Sequence, residues 1–326
     1  MVRLHSFPKP VFARPLALFL ALFFALLCAA PSGCRPPGGA VAPDVIPAYS
    51  AIRPRSETLA ELPASRGGGL VLVPVSVDGR EHAFVLDTGC AASIVDDSFA
   101  KQLSRRKGGY LTTTPGGVME MPICEAPRAS VGGIAVPGKL DWVACSDLSN
   151  LRSICGREVS GILGMDFLQH FVVRLDFARR KVEFLSSDGH EHPEWGEALP
   201  IRLRLGCPQV SATVADAGRH WFLVDTGAAG GGTLPERLFR KVIAAPAAAC
   251  LSVVGGSVES RTGLLSALTL GERRHEGLAF CEGNSALLGL GLFSRYTVTL
   301  DFPARRLYLQ SDGAANARQK TGAGAA

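Results

Sequence analysis

The chain has 326 residues, 47% of them hydrophobic and 19% charged, with a formal net charge of +5. That balance is enough to bury a sizeable core and excludes a chain disordered throughout, and no basic stripe of the kind that binds nucleic acid is present. Nine cysteines without metal-ligand spacing fit an oxidising compartment, and neither a metal nor another cofactor is expected.

At the start, residues 1–15 carry Arg3, Lys9 and Arg14, and residues 16–30 (LALFLALFFALLCAA) are apolar throughout. A basic region followed by an apolar run too short for a comfortable bilayer span has the form of an export signal, with an uncleaved membrane anchor as the alternative. Two processing routes stay open. Cleavage can follow Ala30, or Cys34 in the lipobox-like SGC can be lipidated, although Pro31 stands where that motif prefers Leu. The expectation is an exported protein, either secreted or held in a bacterial cell envelope, lipid-anchored through Cys34 or periplasmic. Residues 1–33 then form the signal and residues 34–66 a Pro/Ala-rich linker.

The folded part is expected to begin near residue 67. Residues 69–89, GLVLVPVSVDGREHAFVLDTG, place two short β-rich runs around Asp78-Gly79, a hairpin signal. The second run delivers Asp87 into Thr88 and Gly89, which taken alone reads equally well as a turn. SRRKGG (104–109) reads as a solvated basic loop. LTTTPGGVMEM (111–121) then reads as a Gly-Gly hairpin, and RASVGGIAV (128–136) as a strand entering a Gly turn. Residues 145–160, CSDLSNLRSICGREVS, read as a polar loop, within which Cys145 and Cys155 are the first choice for a disulfide, although spacing does not determine connectivity. RLDFARRKVEF (174–184) reads as strand, basic turn and strand, giving Asp176 a structural role that Asp166 and Asp301 share. His190 and His192 in GHEHPEW lack a third ligand at a recognisable spacing and read as linker.

The same series then recurs. FVLDTGCAAS at Phe84 returns as FLVDTGAAGG at Phe222, and GILGMDFLQHFVVRLDFARRKVEFL at Gly161 returns as ALLGLGLFSRYTVTLDFPARRLYLQ at Ala286. A second Gly-Gly hairpin, LSVVGGSVES (251–260), and a second strand with a Gly turn, LSALTLGERR (265–274), lie between them in the same order. The first copy is longer, and the extra residues fall in 145–160, where a surface loop tolerates insertion.

Two apolar-DTG segments, each followed by a hairpin and an apolar-Leu-Gly segment, resemble the aspartic proteases of the retropepsin and pepsin group. Over about residues 68–312 the pattern is similar to two retropepsin subunits fused in tandem. The resemblance implies a mainly all-β, bilobal fold of β-barrel lobes with short helices and a cleft between them. The lobes would span residues 67–190 and 191–312, with 313–326 as a tail. It also implies an endopeptidase in which Asp87 and Asp225 activate a water, with Thr88, Gly89, Thr226 and Gly227 supporting the loops and Gly116, Gly117, Gly255 and Gly256 at the flap tips. A peptide or protein is the expected substrate, and duplication makes a monomer the expected state.

Two features depart from the family pattern. Cys90 and Ala228 follow the DTG motifs where a hydroxyl is common, which predicts a less acidic pair and activity at mildly acidic to neutral pH. The glycines of AAGGGT (228–233) predict a looser second half. This favours the competing function, a non-catalytic peptide-binding envelope protein.

Overall fold

The computed structural model describes residues 56–114, 117–136, 141–244, 246–253 and 256–311. Cys34, Gly116 and Gly255, together with the expected signal and tail, lie outside them. Among the described residues no helix is long and apolar enough to cross a membrane.

Antiparallel strands dominate, in two large sheets. Strands Leu70–Val77 and Arg80–Leu86 form the first hairpin, and its turn residues Asp78 and Gly79 have φ of 47° and 81°. Two consecutive left-handed residues suit the twist of a tight hairpin, which is why Asp-Gly is found there. Strand Gly161–Leu163 then inserts parallel to Arg80–Leu86, pairing Leu163 with Leu86. The second copy repeats this order. Cys207–Val214 pairs with Gly218–Val224, and Leu287–Leu288 lies parallel to the latter, pairing Leu288 with Val224.

The two copies meet in a shared part of the larger sheet. Val172–Asp176 and Tyr296–Asp301 pair antiparallel, Val172 with Asp301 and Leu175 with Val298. Each is flanked by its hairpin partner, Lys181–Leu185 or Arg306–Ser311, and outside these run Thr58–Pro63 and Glu197–Arg204. The strand-turn-strand reading holds in both copies. Asp176 accepts the Arg179 N–H at 2.8 Å and Asp301 accepts the Ala304 N–H at 2.9 Å, so each carboxylate ties its own turn. Arg180 and Arg305 take the left-handed position of these turns. One continuous core joins residues of both copies, with Phe84, Phe167, Phe222 and Phe293 buried. At ~1.5–3 kcal/mol for each large apolar side chain removed from water, this core is the main stabilising term.

Four expectations change. Residues 58–63, assigned to the linker, form a strand whose Ala60 and Leu62 alternate inward, a period of two hidden by Pro/Ala-rich composition. SRRKGG is the irregular start of strand Arg105–Thr114, where the register shifts between Arg105 and Gly109. Within the extra residues of the first copy lies a helix, Ser149–Cys155, closed by Gly156 at φ 63°. This helix also separates the cysteines expected to pair. Cys155 ends it against Gly67, whereas the Cys145 thiol lies 3.0 Å from that of Cys124 on the neighbouring strand. Cys90, Cys124, Cys145, Cys155, Cys207 and Cys281 are free thiols.

Candidate active site

Each DTG segment leaves the end of a buried strand and turns beside the other. The backbone N–H of Asp87 donates to the Leu163 carbonyl at 3.0 Å, and that of Asp225 to the Leu288 carbonyl at 2.9 Å, so each apolar-Leu-Gly segment braces its own loop. Thr88 and Thr226, both buried, then tie the loops to each other. The Thr88 N–H donates to Thr226 Oγ1 at 3.0 Å and the Thr226 N–H to Thr88 Oγ1 at 3.1 Å. Thr88 Oγ1–H donates to the Val224 carbonyl at 2.6 Å, and Thr226 Oγ1–H to the Leu86 carbonyl at 2.7 Å. Both hydroxyls therefore donate and accept across the junction. Valine has the same shape and could do neither.

The carboxyl groups meet above this tie. Asp87 Oδ1 accepts from the Gly89 N–H at 2.7 Å and Asp225 Oδ1 from the Gly227 N–H at 2.8 Å. Each aspartate also lies over the other loop's glycine. A Cβ on Gly89 would come within 2.6 Å of the Asp225 carboxyl, and one on Gly227 within 2.4 Å of the Asp87 carboxyl. Real Cβ atoms do not approach that closely, so glycine here makes room for the opposite carboxyl. The two carboxyl groups lie close enough for each to shift the protonation of the other.

The support behind the loops differs between copies. In the first, the Ser93 hydroxyl donates to Asp166 at 2.7 Å and accepts from the Gly164 N–H at 3.0 Å. At the same positions of the second copy stand Gly231 and Gly291. There the Gly289 N–H donates to the Gly231 carbonyl at 3.0 Å and the Gly291 N–H to the Gly230 carbonyl at 2.9 Å. A Cβ on Gly231 would meet the Ala279 carbonyl at 2.4 Å, and one on Gly291 would meet the Gly230 backbone at 2.7 Å. Gly231 and Gly232 within the run are in close backbone contact, which corrects the expectation of looseness there. Asp166 braces a loop in the first copy, in keeping with a structural role.

Gly117 opens strand Gly117–Glu125 opposite Arg105–Thr114, and Gly256 opens Gly256–Leu265 opposite Ala247–Val253, so both Gly-Gly hairpins form. Beside the carboxyls sit residues that sequence reading missed. The buried Cys207 thiol donates to the Gly89 carbonyl at 3.3 Å. Burial, with the charges of Asp87 and Asp225 behind it, pushes that thiol up to about 12. Tyr110, half-buried on the first hairpin against Trp142, lies near both Cys90 and Cys207. Cys207 corresponds to Leu70 in the first copy, so the repeat carried no polar signal there.

Residues 73–167 match the family model for aspartyl proteases. The matched stretch contains Asp87-Thr88-Gly89 and ends before the second DTG. The fold of the larger part of the chain is similar to the solved structure of the aspartic proteinase from Irpex lacteus, with a TM-score of 0.51 over 79% of this chain and 98% of that one at 13% identity. At that identity the likeness is one of fold, and the fold is pepsin-like. No curated protein sequence matches.

In this aspartyl protease fold the electrostatics of the pair follow from its crowding. Burial raises Asp87, an effect that the Gly89 N–H partly offsets. Burial raises Asp225 as well, and the neighbouring charge of Asp87 adds to it. Two carboxyls so close favour a single shared proton, and their titration is a property of the pair. The Cys90 thiol donates to the Ala92 carbonyl at 3.0 Å, away from Asp87, and burial followed by the charge of Asp87 raises it well above its usual value. It is a packed neighbour with little thiolate to offer as a nucleophile.

Proposed function

We propose that this chain is an aspartic endopeptidase in which Asp87 and Asp225 act as one unit on a water molecule. The observation that carries the reading is the reciprocal packing of the two DTG loops, each aspartate over the other's glycine with the threonines crossed beneath. Peptide hydrolysis without metal or covalent nucleophile needs one group to take a proton from water and another to give one to the scissile amide. A carboxyl pair sharing one proton supplies both at the same pH. The two copies act as fused retropepsin-like lobes, residues 67–190 and 191–312. An extended peptide or protein segment lies between them, under hairpins 105–125 and 247–265.

The raised carboxyls and the absence of a hydroxyl donor at Cys90 and Ala228 favour activity at mildly acidic to neutral pH. An enzyme exported to the envelope or beyond, free or lipid-anchored through Cys34, and working as a monomer, fits this reading. The glycine run was the feature favouring a non-catalytic scaffold, and its close packing removes that support. The test is cleavage of a diverse peptide mixture from pH 3 to 8, read by mass spectrometry, with Asp87→Asn and Asp225→Asn alongside. Both variants lose cleavage if the pair is one site. Persistent cleavage in either variant overturns the proposal, and an optimum below about 3 overturns the reading of mildly acidic to neutral activity.

A further inference from the structure

The two copies differ most between their last two sheet strands before the second turn of the site. Residues 284–286 make that connection in the second copy, whereas in the first residues 147–160 do, and they contain helix Ser149–Cys155. The helix is firmly fixed to its own copy. Asp96, almost fully buried, accepts the Leu148 N–H at 3.0 Å and pairs with Arg152 at 2.6 Å. At the other end Gly67 and Gly68 pack directly on the helix backbone. A Cβ on either would come within 2.7 Å of the Cys155 carbonyl or 2.4 Å of the Ile154 carbonyl.

From this base the helix reaches the other copy. It lies against strand Ala247–Val253, and Asn150 Nδ2 donates to the Gly256 carbonyl at 2.6 Å, with Ser257 Oγ at 3.5 Å. Gly256 is the first residue of the returning strand, next to the tip of the second hairpin. A hairpin projecting from a sheet is held mainly by its own ladder and by whatever touches its tip, so a tip contact governs its opening. Residues 284–286 are too few to form a matching helix against the first hairpin.

We propose that helix Ser149–Cys155 is a latch that fixes the second hairpin through Asn150. Asn150 is then a positioning residue: it acts on bound peptide through residues 247–265 and does not touch the reacting groups. The functional part rests on the protease reading, but the latch itself does not.

Hydrogen exchange of the whole chain, followed by mass spectrometry, tests it on Asn150→Asp, which keeps the side-chain shape and removes the donor. Peptides from 247–265 exchange ~3- to 10-fold faster in the variant, the change in opening expected from one lost hydrogen bond, and peptides from 105–125 are unchanged. Unaltered exchange at 247–265, or equal acceleration of both hairpins, overturns the latch. On a cleaved peptide the variant raises KM ~3- to 10-fold with kcat within about twofold, because the carboxyl pair is untouched. A lowered kcat at unchanged KM overturns the positioning role. A wild-type chain that cleaves nothing yet shows the exchange difference refutes the protease reading and leaves the latch in place.

Discussion

Replacing Thr88 by valine keeps the side-chain shape and removes one oxygen from the tie between the two loops. That oxygen accepts from the Thr226 N–H at 3.1 Å and donates to the Val224 carbonyl at 2.6 Å, both in a buried setting. Leaving a buried donor and a buried acceptor without these partners costs ~1–3 kcal/mol each, hence ~2–6 kcal/mol in all. At ~2–4 °C per kcal/mol for a chain of this size, the melting temperature falls by about 10 °C. Thr88→Ser is the control, since it keeps the oxygen and loses one methyl, a cost of ~1 kcal/mol. Thr226→Val breaks the mirror-image bonds to the Thr88 N–H and the Leu86 carbonyl. Because both side chains tie the same two loops, the double valine variant costs less than the sum of the singles by ~0.5–3 kcal/mol. Thermal and urea denaturation measure all four variants. If Thr88→Val comes within 1 kcal/mol of Thr88→Ser, the crossed hydroxyls do not hold the junction and the reasoning fails.

Two further outcomes follow from the same geometry. Gly227→Ala puts a methyl within 2.4 Å of the Asp87 carboxyl. A displacement of about 1 Å at the reacting groups lowers kcat/KM by roughly 100-fold, so a variant keeping a tenth of wild-type activity contradicts the crowding argument. Asp96 gives a stability signature in pH. Burial alone would raise it, but hydrogen bonds from Ser98, Arg152 and Leu148 outweigh burial and hold it below its usual 3.8. A depressed carboxyl stabilises the fold above its unfolded value and loses that contribution as pH falls through the folded one. Asp96→Asn is therefore less stable by about 2 kcal/mol at pH 7, with the gap closing below about pH 4. A gap independent of pH in urea titrations would mean that the charge plays no part.

Much of this molecule could be read from residue order alone, because its information is local and repeated. Asp78-Gly79 announces a hairpin through backbone sterics, and the two Gly-Gly turns do the same. The recurrence of DTG and apolar-Leu-Gly segments identified Asp87 and Asp225 as counterparts before any contact was known. Their meeting, and the crossed Thr88–Thr226 bonds beneath them, are contacts between residues far apart in the chain, and only the packed strands bring them about. The meaning of a residue could also reverse on packing. Gly231 and Gly232, read as loose, are where the Ala279 and Leu287 carbonyls come too close for a side chain. Cys145 finds Cys124 across a strand pair while a helix carries Cys155 away. The repeat, the turns and the chemical identity of the pair belong to the sequence, since steric preference and periodicity act over a few residues. The crowding that raises the carboxyls, the thiol of Cys207 beside them and the reach of Asn150 across the junction were decided by tertiary structure, because burial and proximity exist only once distant segments pack.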